Sequence, residues 1–182
     1  MGTMRRLVVA LAGLVVLSGC VPVAVLRTPQ PVSGESLSVG LSGLFSSDGG
    51  VVIPVAYYAR GDGETEYNLS AQAGLRLGIK QRLADSIGLD AGLTVPYVLL
   101  SPGTTGIPLV VDLGLLIGVD RFYLSPRVDW IGFTFNGQAV SGLIYHFTGG
   151  YAFEDFLLEL SYLNNFQGGG GAFSISGAWK LL

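Results

Sequence analysis

Apolar and polar positions alternate with a period of two over most of the chain, most clearly between Tyr67 and Val95. Tyr67, Leu69, Ala71, Ala73, Leu75, Leu77 and Ile79 are apolar, and Asn68, Ser70, Gln72, Gly74, Arg76, Gly78 and Lys80 between them are polar or glycine. After Gln81–Ser86 the pattern restarts, with Ile87, Leu89, Ala91, Leu93 and Val95 alternating with Gly88, Asp90, Gly92 and Thr94. A period of two puts side chains on opposite faces of a β-strand. The two runs predict an antiparallel hairpin of strands 67–80 and 87–95.

Similar runs predict the rest. Leu37 to Phe45 and Val51 to Tyr58 flank a turn at Ser46–Gly50, and Arg60-Gly61-Asp62-Gly63 reads as the next turn. Beyond a loop from Leu100 to Pro108, Leu109 to Val119 and Phe122 to Trp130 turn at Asp120-Arg121. Asn136-Gly137 is the strongest short hairpin signal. Ala139 to Phe153, Phe156 to Tyr162 and Phe173 to Leu181 follow, the last two separated by a glycine loop at Gly168–Gly171. No segment after Gly34 has a helical period. The expectation is one all-β domain over 35–182 with about nine visible strands. Residues 20–34, with Pro22, Pro29 and Pro31, read as a linker or a weak first strand.

Composition changes the setting. Only 13% of residues are charged, against roughly 25% in an ordinary soluble domain, while 49% are hydrophobic and 28 are glycine. Such a chain is suited to an apolar environment outside as well as in its interior. The polar strand faces carry charges of both signs: Arg76, Lys80, Arg127 and Lys180 against Asp90, Asp112, Asp129 and Glu159. A soluble sandwich exposes its charges and has no place for a second apolar face. A narrow barrel in a membrane inverts this, with lipid outside and a packed polar interior. A 14-residue strand rises roughly 45 Å, enough when tilted to cross the ≈ 25 Å apolar band of such a barrel.

Aromatics support the same reading. If turns alternate sides, Tyr57, Tyr67, Tyr97, Phe133, Phe135, Tyr162 and Phe166 fall at one rim. Phe45, Phe122, Tyr123, Tyr151, Phe153 and Trp179 fall at the other, as in two interfacial girdles. The expected fold is therefore an antiparallel up-and-down transmembrane β-barrel of about 8–10 strands. The visible count is odd, whereas single-chain barrels have an even number. Evenness requires Val21–Thr28 as a tenth strand, one weak strand to be absent, or an anchor on the outer side.

The N-terminus gives an address. Arg5-Arg6 followed by the apolar stretch Leu7–Leu17 is too short to span a bilayer and reads as a signal peptide. Loss of residues 1–19 takes Arg5 and Arg6 away and moves the net charge from −3 to −5. Its end, Leu17-Ser18-Gly19-Cys20, resembles the lipobox of bacterial lipoproteins. The resemblance implies cleavage before Cys20 and a membrane anchor of palmitate-type acyl chains on that residue, each buried CH₂ contributing about 0.8 kcal/mol. Val21 stands where enteric bacteria place an inner-membrane retention Asp, so outer-membrane delivery is expected. From 35 onward, Ala73-Gly74-Leu75-Arg76-Leu77-Gly78-Ile79 and Phe122-Tyr123-Leu124-Ser125-Pro126-Arg127 are similar to strands of small bacterial outer-membrane β-barrel proteins. That resemblance implies a fold and a compartment, but no activity. The final Trp179-Lys180-Leu181-Leu182 lacks the terminal aromatic common in the class.

Candidate chemistry is sparse. His146 is the only histidine and Cys20 the only cysteine, which argues against a zinc site or an internal disulfide. By parity His146 shares the inner face with Arg127 and Asp129. A serine–histidine–aspartate site needs a serine in reach, and Ser141 has the opposite parity. Gly168–Gly171 lacks the lysine and helix of a phosphate loop. The charged residues named above, with His146, are expected to form a lumen network, and no metal or cofactor is expected. The absence of a basic patch argues against nucleic acid as a partner. The expected partner is membrane lipid, and no protein partner is indicated. The expected role is non-enzymatic and structural or envelope-associated. A lipid or small apolar ligand at the barrel is the alternative, and a lipid-modifying enzyme the third reading.

Overall fold

The computed structural model describes residues 23–47, 49–96, 108–135, 138–166 and 170–182. The signal segment, Cys20, Tyr97, Asn136-Gly137, most of the Leu100–Pro108 loop and residues 168–169 of the glycine run lie outside the described residues. Ten strands form the wall: β1 Ser33–Ser46, β2 Gly49–Asp62, β3 Thr65–Ala71, β4 Gly74–Ala84, β5 Ile87–Pro96, β6 Leu109–Val119, β7 Phe122–Phe135, β8 Gln138–Ala152, β9 Phe156–Asn165 and β10 Ala172–Lys180. Each pairs antiparallel with its chain neighbours. β1 closes on β10 from Ser38↔Lys180 to Phe45↔Phe173, giving a closed up-and-down barrel.

The strand expected over 67–80 is two strands. Ala71 pairs with Leu75 around a tight turn, where the Gln72 N–H donates to the Gly74 carbonyl at 3.0 Å. Paired residues face the same side, and Ala71 and Leu75 have the same parity, so the alternation passes through this three-residue turn without a change of phase. The turn was therefore invisible to periodicity, and it makes the count ten. Val23–Thr28 is not the missing strand; it lies inside the barrel.

The turn also corrects the rims, because a missed reversal inverts every assignment upstream of it. The chain end after β10 lies at one rim, with the short turns β2–β3, β4–β5, β6–β7 and β8–β9. The other rim carries the remaining connections, including the long one between β5 and β6. Phe45 lies at the loop rim with Phe133, Tyr162 and Phe166, and Tyr67 lies at the short-turn rim. Tyr57 and Tyr123 belong to neither girdle, since both are buried inside. At the short-turn rim Phe122, Tyr151, Phe153, Phe156 and Trp179 form a continuous arc, with ring centroids 4.5 to 6.1 Å apart. Tyr145, Tyr162, Phe166 and Phe173 form a second arc toward the loop rim. Phe122 to Phe133 spans roughly 36 Å of strand, which at a tilt of about 40° is near the ≈ 25 Å apolar band.

Polarity is inside out. Every strand presents a large exposed hydrophobic residue on its outer face, among them Leu41, Val52, Leu69, Leu77, Leu93, Leu113, Leu124, Leu143, Leu160 and Ile175. The alternate positions turn inward, and the greater number of those buried there are polar: Ser38, Ser42, Asn68, Ser70, Arg76, Lys80, Asp90, Thr94, Asp112, Arg127, Thr148, Ser161, Ser174 and Ser176 are all buried. Hydroxyl side chains pair across neighbouring strands, Ser42 with Ser176 at 2.7 Å and Thr148 with Ser161 at 2.8 Å.

Candidate functional site

The lumen is built around residues 23–32, which run through it before the chain enters β1. Val23, Ala24, Val25, Leu26 and Arg27 are at most 3% exposed. Val23 packs near the loop rim against Leu44, Val110, Ile131, Ile144, Leu163 and Ala172, and its carbonyl accepts from Ser174 Oγ at 3.2 Å. Gln72, in the tight turn, brackets Ala24: its Oε1 accepts the Ala24 N–H at 3.2 Å and its Nε2 donates to the Ala24 carbonyl at 2.7 Å.

Leu26 takes a left-handed conformation, φ 48°, which is uncommon for a residue with a branched side chain. The kink turns two successive N–H groups, of Val25 and Leu26, onto the Glu159 carboxylate, with Val25 N to Oε2 at 2.8 Å. Backbone concavities of this kind hold anions. Tyr123 Oη donates to the same carboxylate at 2.6 Å. Further on, Lys80 Nζ donates to the Thr28 carbonyl at 3.0 Å, Gln30 Nε2 to the Asp85 carbonyl at 2.8 Å, and the Val32 N–H to Glu66 Oε2 at 3.0 Å. Pro29 fits where Gly88 and Gly118 leave room. A Cβ on Gly88 would come 2.4 Å from the Pro29 carbonyl oxygen, and one on Gly118 would come 2.8 Å from its Cγ.

Beside this thread sits an ion cluster. Arg76 holds Asp112 in a two-pronged pair, Nε to Oδ2 at 2.8 Å and Nη2 to Oδ1 at 2.7 Å. It also reaches Asn68 at 2.7 Å and Asp90 at 2.9 Å. Arg127 bridges the same two aspartates, and Arg27 from the thread donates to Asp90 Oδ2, so three guanidiniums converge on one carboxylate oxygen. Arg27 also lies over the Tyr57 ring, 5.4 Å from its centroid. A second group joins Lys80 to Glu66 at 2.7 Å, with Tyr57 Oη and Asn68 donating to Glu66. Paired and hydrogen-bonded in this way, buried charges offset much of their desolvation cost.

Of the residues singled out from the sequence, Arg76, Asp90, Asp112 and Arg127 are brought together. Lys80 joins Glu66, and Glu159 holds the thread rather than the cluster. Asp129 and His146 are buried on the inner face, with no partner of hydrogen-bond geometry for either carboxylate oxygen or either ring nitrogen, although His146 lies against the Val23 backbone. Among the described residues the lumen thus holds four cationic side chains, Arg27, Arg76, Lys80 and Arg127. Facing them are five acidic ones, Glu66, Asp90, Asp112, Asp129 and Glu159. Lys180 is a correction: it is outside the network, at the short-turn rim, where Nζ donates to the Phe153 and Glu154 carbonyls, each at 3.1 Å.

Sequence reasoning missed Arg27 and Glu66. Arg27 sits between prolines in a stretch with no period. Glu66 precedes the marked alternation but has the lumen parity of Asn68 and Ser70, and that parity was the usable signal. No serine hydroxyl bonds to His146 among the described residues, so no nucleophile–base pair is assembled.

The described charged residues occupy two places only. Nine lie in the lumen. Glu35, Arg60, Asp62, Glu64, Arg82, Asp85, Asp120, Arg121, Glu154, Asp155 and Lys180 gather at the short-turn rim. None stands on the outer wall between the rims.

No protein-family model matches the chain, and no curated protein matches it in sequence. Among solved structures it is similar to the CymD monoaromatic hydrocarbon channel, with 10% identity and a TM-score of 0.40 over 82% of this chain and 66% of that one. It is also similar to Ail, the attachment invasion locus protein of Yersinia pestis, with 15% identity and a TM-score of 0.31 over 82% of this chain and 100% of that one. Neisserial surface protein A gives 12% identity and a TM-score of 0.31 over 80% and 94%. At these identities and scores, the functional reading rests on the chain's own geometry.

Proposed function

We propose that this protein is an outer-membrane β-barrel lipoprotein, anchored through Cys20, with a non-enzymatic, structural or envelope-associated role. The observation that carries the membrane reading is the charge distribution: an apolar outer wall around a lumen of paired charges, with the remaining described charges confined to one rim. In water this arrangement exposes the wrong face; in lipid it buries the apolar wall and keeps every described charge within the barrel or at an interface.

A filled lumen argues for a structural role over conduction. The thread and the ion cluster occupy the space through which a solute would pass. The apolar surfaces of the lumen, around Val23 and around Val25 and Leu26, are already covered by the thread. On the outer wall Gly149, flanked by Leu124 and Leu160, opens a depression of about 540 Å³ rimmed by Phe122, Tyr151 and Ile175. In a bilayer that depression faces acyl chains.

The test is extraction and mobility. The folded protein in detergent is expected to migrate differently from its boiled form, and a Cys20→Ser variant is expected to resist carbonate extraction. If carbonate washes that variant from membranes, the integral-barrel reading fails. Metabolic labelling with a palmitate analogue tests the anchor separately.

A further inference from the structure

The path of the thread fixes where the preceding chain must go. Val23 lies at the loop rim, among Leu44 near the end of β1, Val110 at the start of β6 and Ala172 at the start of β10. Pro29 lies at the opposite rim against Gly88 and Gly118, and Gln30 is bonded to Asp85 in a short turn there. β1 then starts from that same short-turn rim, where β10 also ends. Residues 23–29 therefore run inside the barrel from near the loop rim to the short-turn rim. The six peptide steps from Val23 to Pro29 reach at most about 22 Å, close to the thickness of the apolar band, and Leu26 kinks the path, so little slack remains in it.

We infer that the chain passes through its own lumen, so that whatever precedes Val23 leaves at the loop rim, on the membrane face opposite the C-terminal Leu182. This rests on the membrane reading above. The thread is held at both ends and in the middle: Ser174 and Gln72 near the loop rim, Glu159 and Asp90 at mid-height, Lys80, Asp85 and Glu66 toward the short-turn rim. Only three peptide steps separate Cys20 from Val23, a reach of roughly 11 Å. That is too short to return to the other rim past a filled lumen. An acyl anchor on Cys20 thus enters the leaflet on the loop side. The barrel is then fixed to the lipid at the rim that is free of charge among its described residues, and the charged rim meets the other compartment.

The arrangement differs from an anchored linker in front of a barrel, where both ends share one compartment.

The test uses thiol labelling on intact cells producing the full chain. The chain has one cysteine, so Pro22→Cys and Leu182→Cys are each made in a Cys20→Ser background carrying a cleavable non-lipoprotein signal. A membrane-impermeant maleimide is expected to label one of the two on intact cells, and the other only after the outer membrane is permeabilised. With the loops outward, Pro22→Cys is the one labelled first. Labelling of both only after permeabilisation, or of both before it, places the two ends on one face and overturns the inference. The anchor is read independently in the unsubstituted chain. After denaturation a thioether-linked Cys20 takes no maleimide, while a free thiol does; a free thiol refutes lipidation and leaves the threading result standing.

Discussion

Replacing Asp90 by Asn should be among the most damaging single changes available, although it removes no atom of bulk. Asp90 Oδ2 accepts from Arg27, Arg76 and Arg127, and both carboxylates that face these guanidiniums, Asp90 and Asp112, are buried. After Asp90→Asn, Arg76 and Arg127 keep Asp112 as their hydrogen-bonded carboxylate, and Asp129 acts on them through its charge alone. Arg27 is left with its contact to the Val25 carbonyl, 2.9 Å from Nε, and the Tyr57 ring. Removing one partner of a buried pair costs about 3–5 kcal/mol, which corresponds to roughly two to four orders of magnitude in the unfolding equilibrium. Asp129→Asn is the matched control. Asp129 is equally buried but accepts no hydrogen bond among the described residues, so losing its charge should cost less than about 1 kcal/mol and can stabilise a lumen with a surplus carboxylate. Combining Asp90→Asn with Arg27→Met removes a charge of each sign and should recover part of the loss. The assay is urea unfolding of the protein in vesicles, read by the fluorescence of Trp130 and Trp179, which both lie on the outer wall. Equal losses for Asp90→Asn and Asp129→Asn would refute the argument, since burial alone rather than the converging guanidiniums would then set the cost.

Three further outcomes follow from the same geometry. Leu77→Arg, at an outer-wall position 60% exposed, should impair folding into vesicles by about 2–4 kcal/mol, while a charge-neutral Leu77→Ala is much milder; equal effects would argue against lipid around the wall. Glu159→Gln keeps one acceptor oxygen but sets an amide N–H₂ toward one of the two backbone donors, so it should raise proteolysis between residues 23 and 32 without unfolding the strands, read by limited digestion and mass spectrometry. At the charged rim, the N–H groups of Glu64 and Thr65 donate to Asp62 at 2.9 and 2.7 Å and hold its carboxyl below the usual aspartate range. A depressed folded-state value means stability present above the unfolded pKa and lost as pH falls, so protection of the Thr65 amide, taken relative to its intrinsic exchange rate at each pH, should fall on acidification, and Asp62→Asn should abolish that dependence.

The wall was legible in the sequence because strand parity and polarity are the same variable here. Once Leu77 faces lipid, Arg76 and Gly78 have to face the lumen, and pairing Arg76↔Thr94 and Lys80↔Asp90 follows from the register. What parity cannot encode is a reversal that preserves it. The turn at Gln72–Ala73 carries no Gly-Asn or Pro signal at its centre, and its three-residue span keeps Ala71 and Leu75 in phase. By contrast, the two-residue turn at Asp120-Arg121 shifts the phase and was visible; there Asp120 takes the left-handed conformation such turns require. The thread was illegible for a different reason. Its apolar Val23, Val25 and Leu26 resemble a poor strand, and nothing local in the chain says that its hydrogen-bonding partners will be Glu159, Gln72 and Ser174, each far away in sequence.

The missed turn and the thread are connected. A barrel of about eight strands has an interior that side chains alone can fill, and diameter grows with each added strand. Ten strands enclose more than the small inward residues of β1, β8, β9 and β10 can occupy: Ser38, Ser42, Thr148, Ser161, Ser174 and Ser176 are among the shortest polar side chains. Part of that volume is taken by Val23–Leu26, which bring backbone as well as side chains. On the opposite side, where β4, β5, β6 and β7 contribute long Arg76 and Arg127, the wall has glycine instead. A Cβ on Gly92 would come 2.3 Å from the Arg76 guanidinium, and one on Gly114 would come 3.1 Å from Arg127 Nε. Short polar residues beneath the thread and glycines beneath the arginines are therefore two halves of one packing solution. It requires that the segment before β1 stay out of the wall. Had Val23–Thr28 been an eleventh strand, closure would have needed an odd wall and left a wider lumen without its filling. Enlarging a small inward residue under the thread, as in Ser174→Phe, should accordingly expel Val23 while leaving the strands paired, and the same change made outward, at Ile175→Phe, should leave the thread in place. Protection of the Val25 and Leu26 amides from exchange distinguishes the two. If both variants keep that protection, the thread is not what fills the barrel.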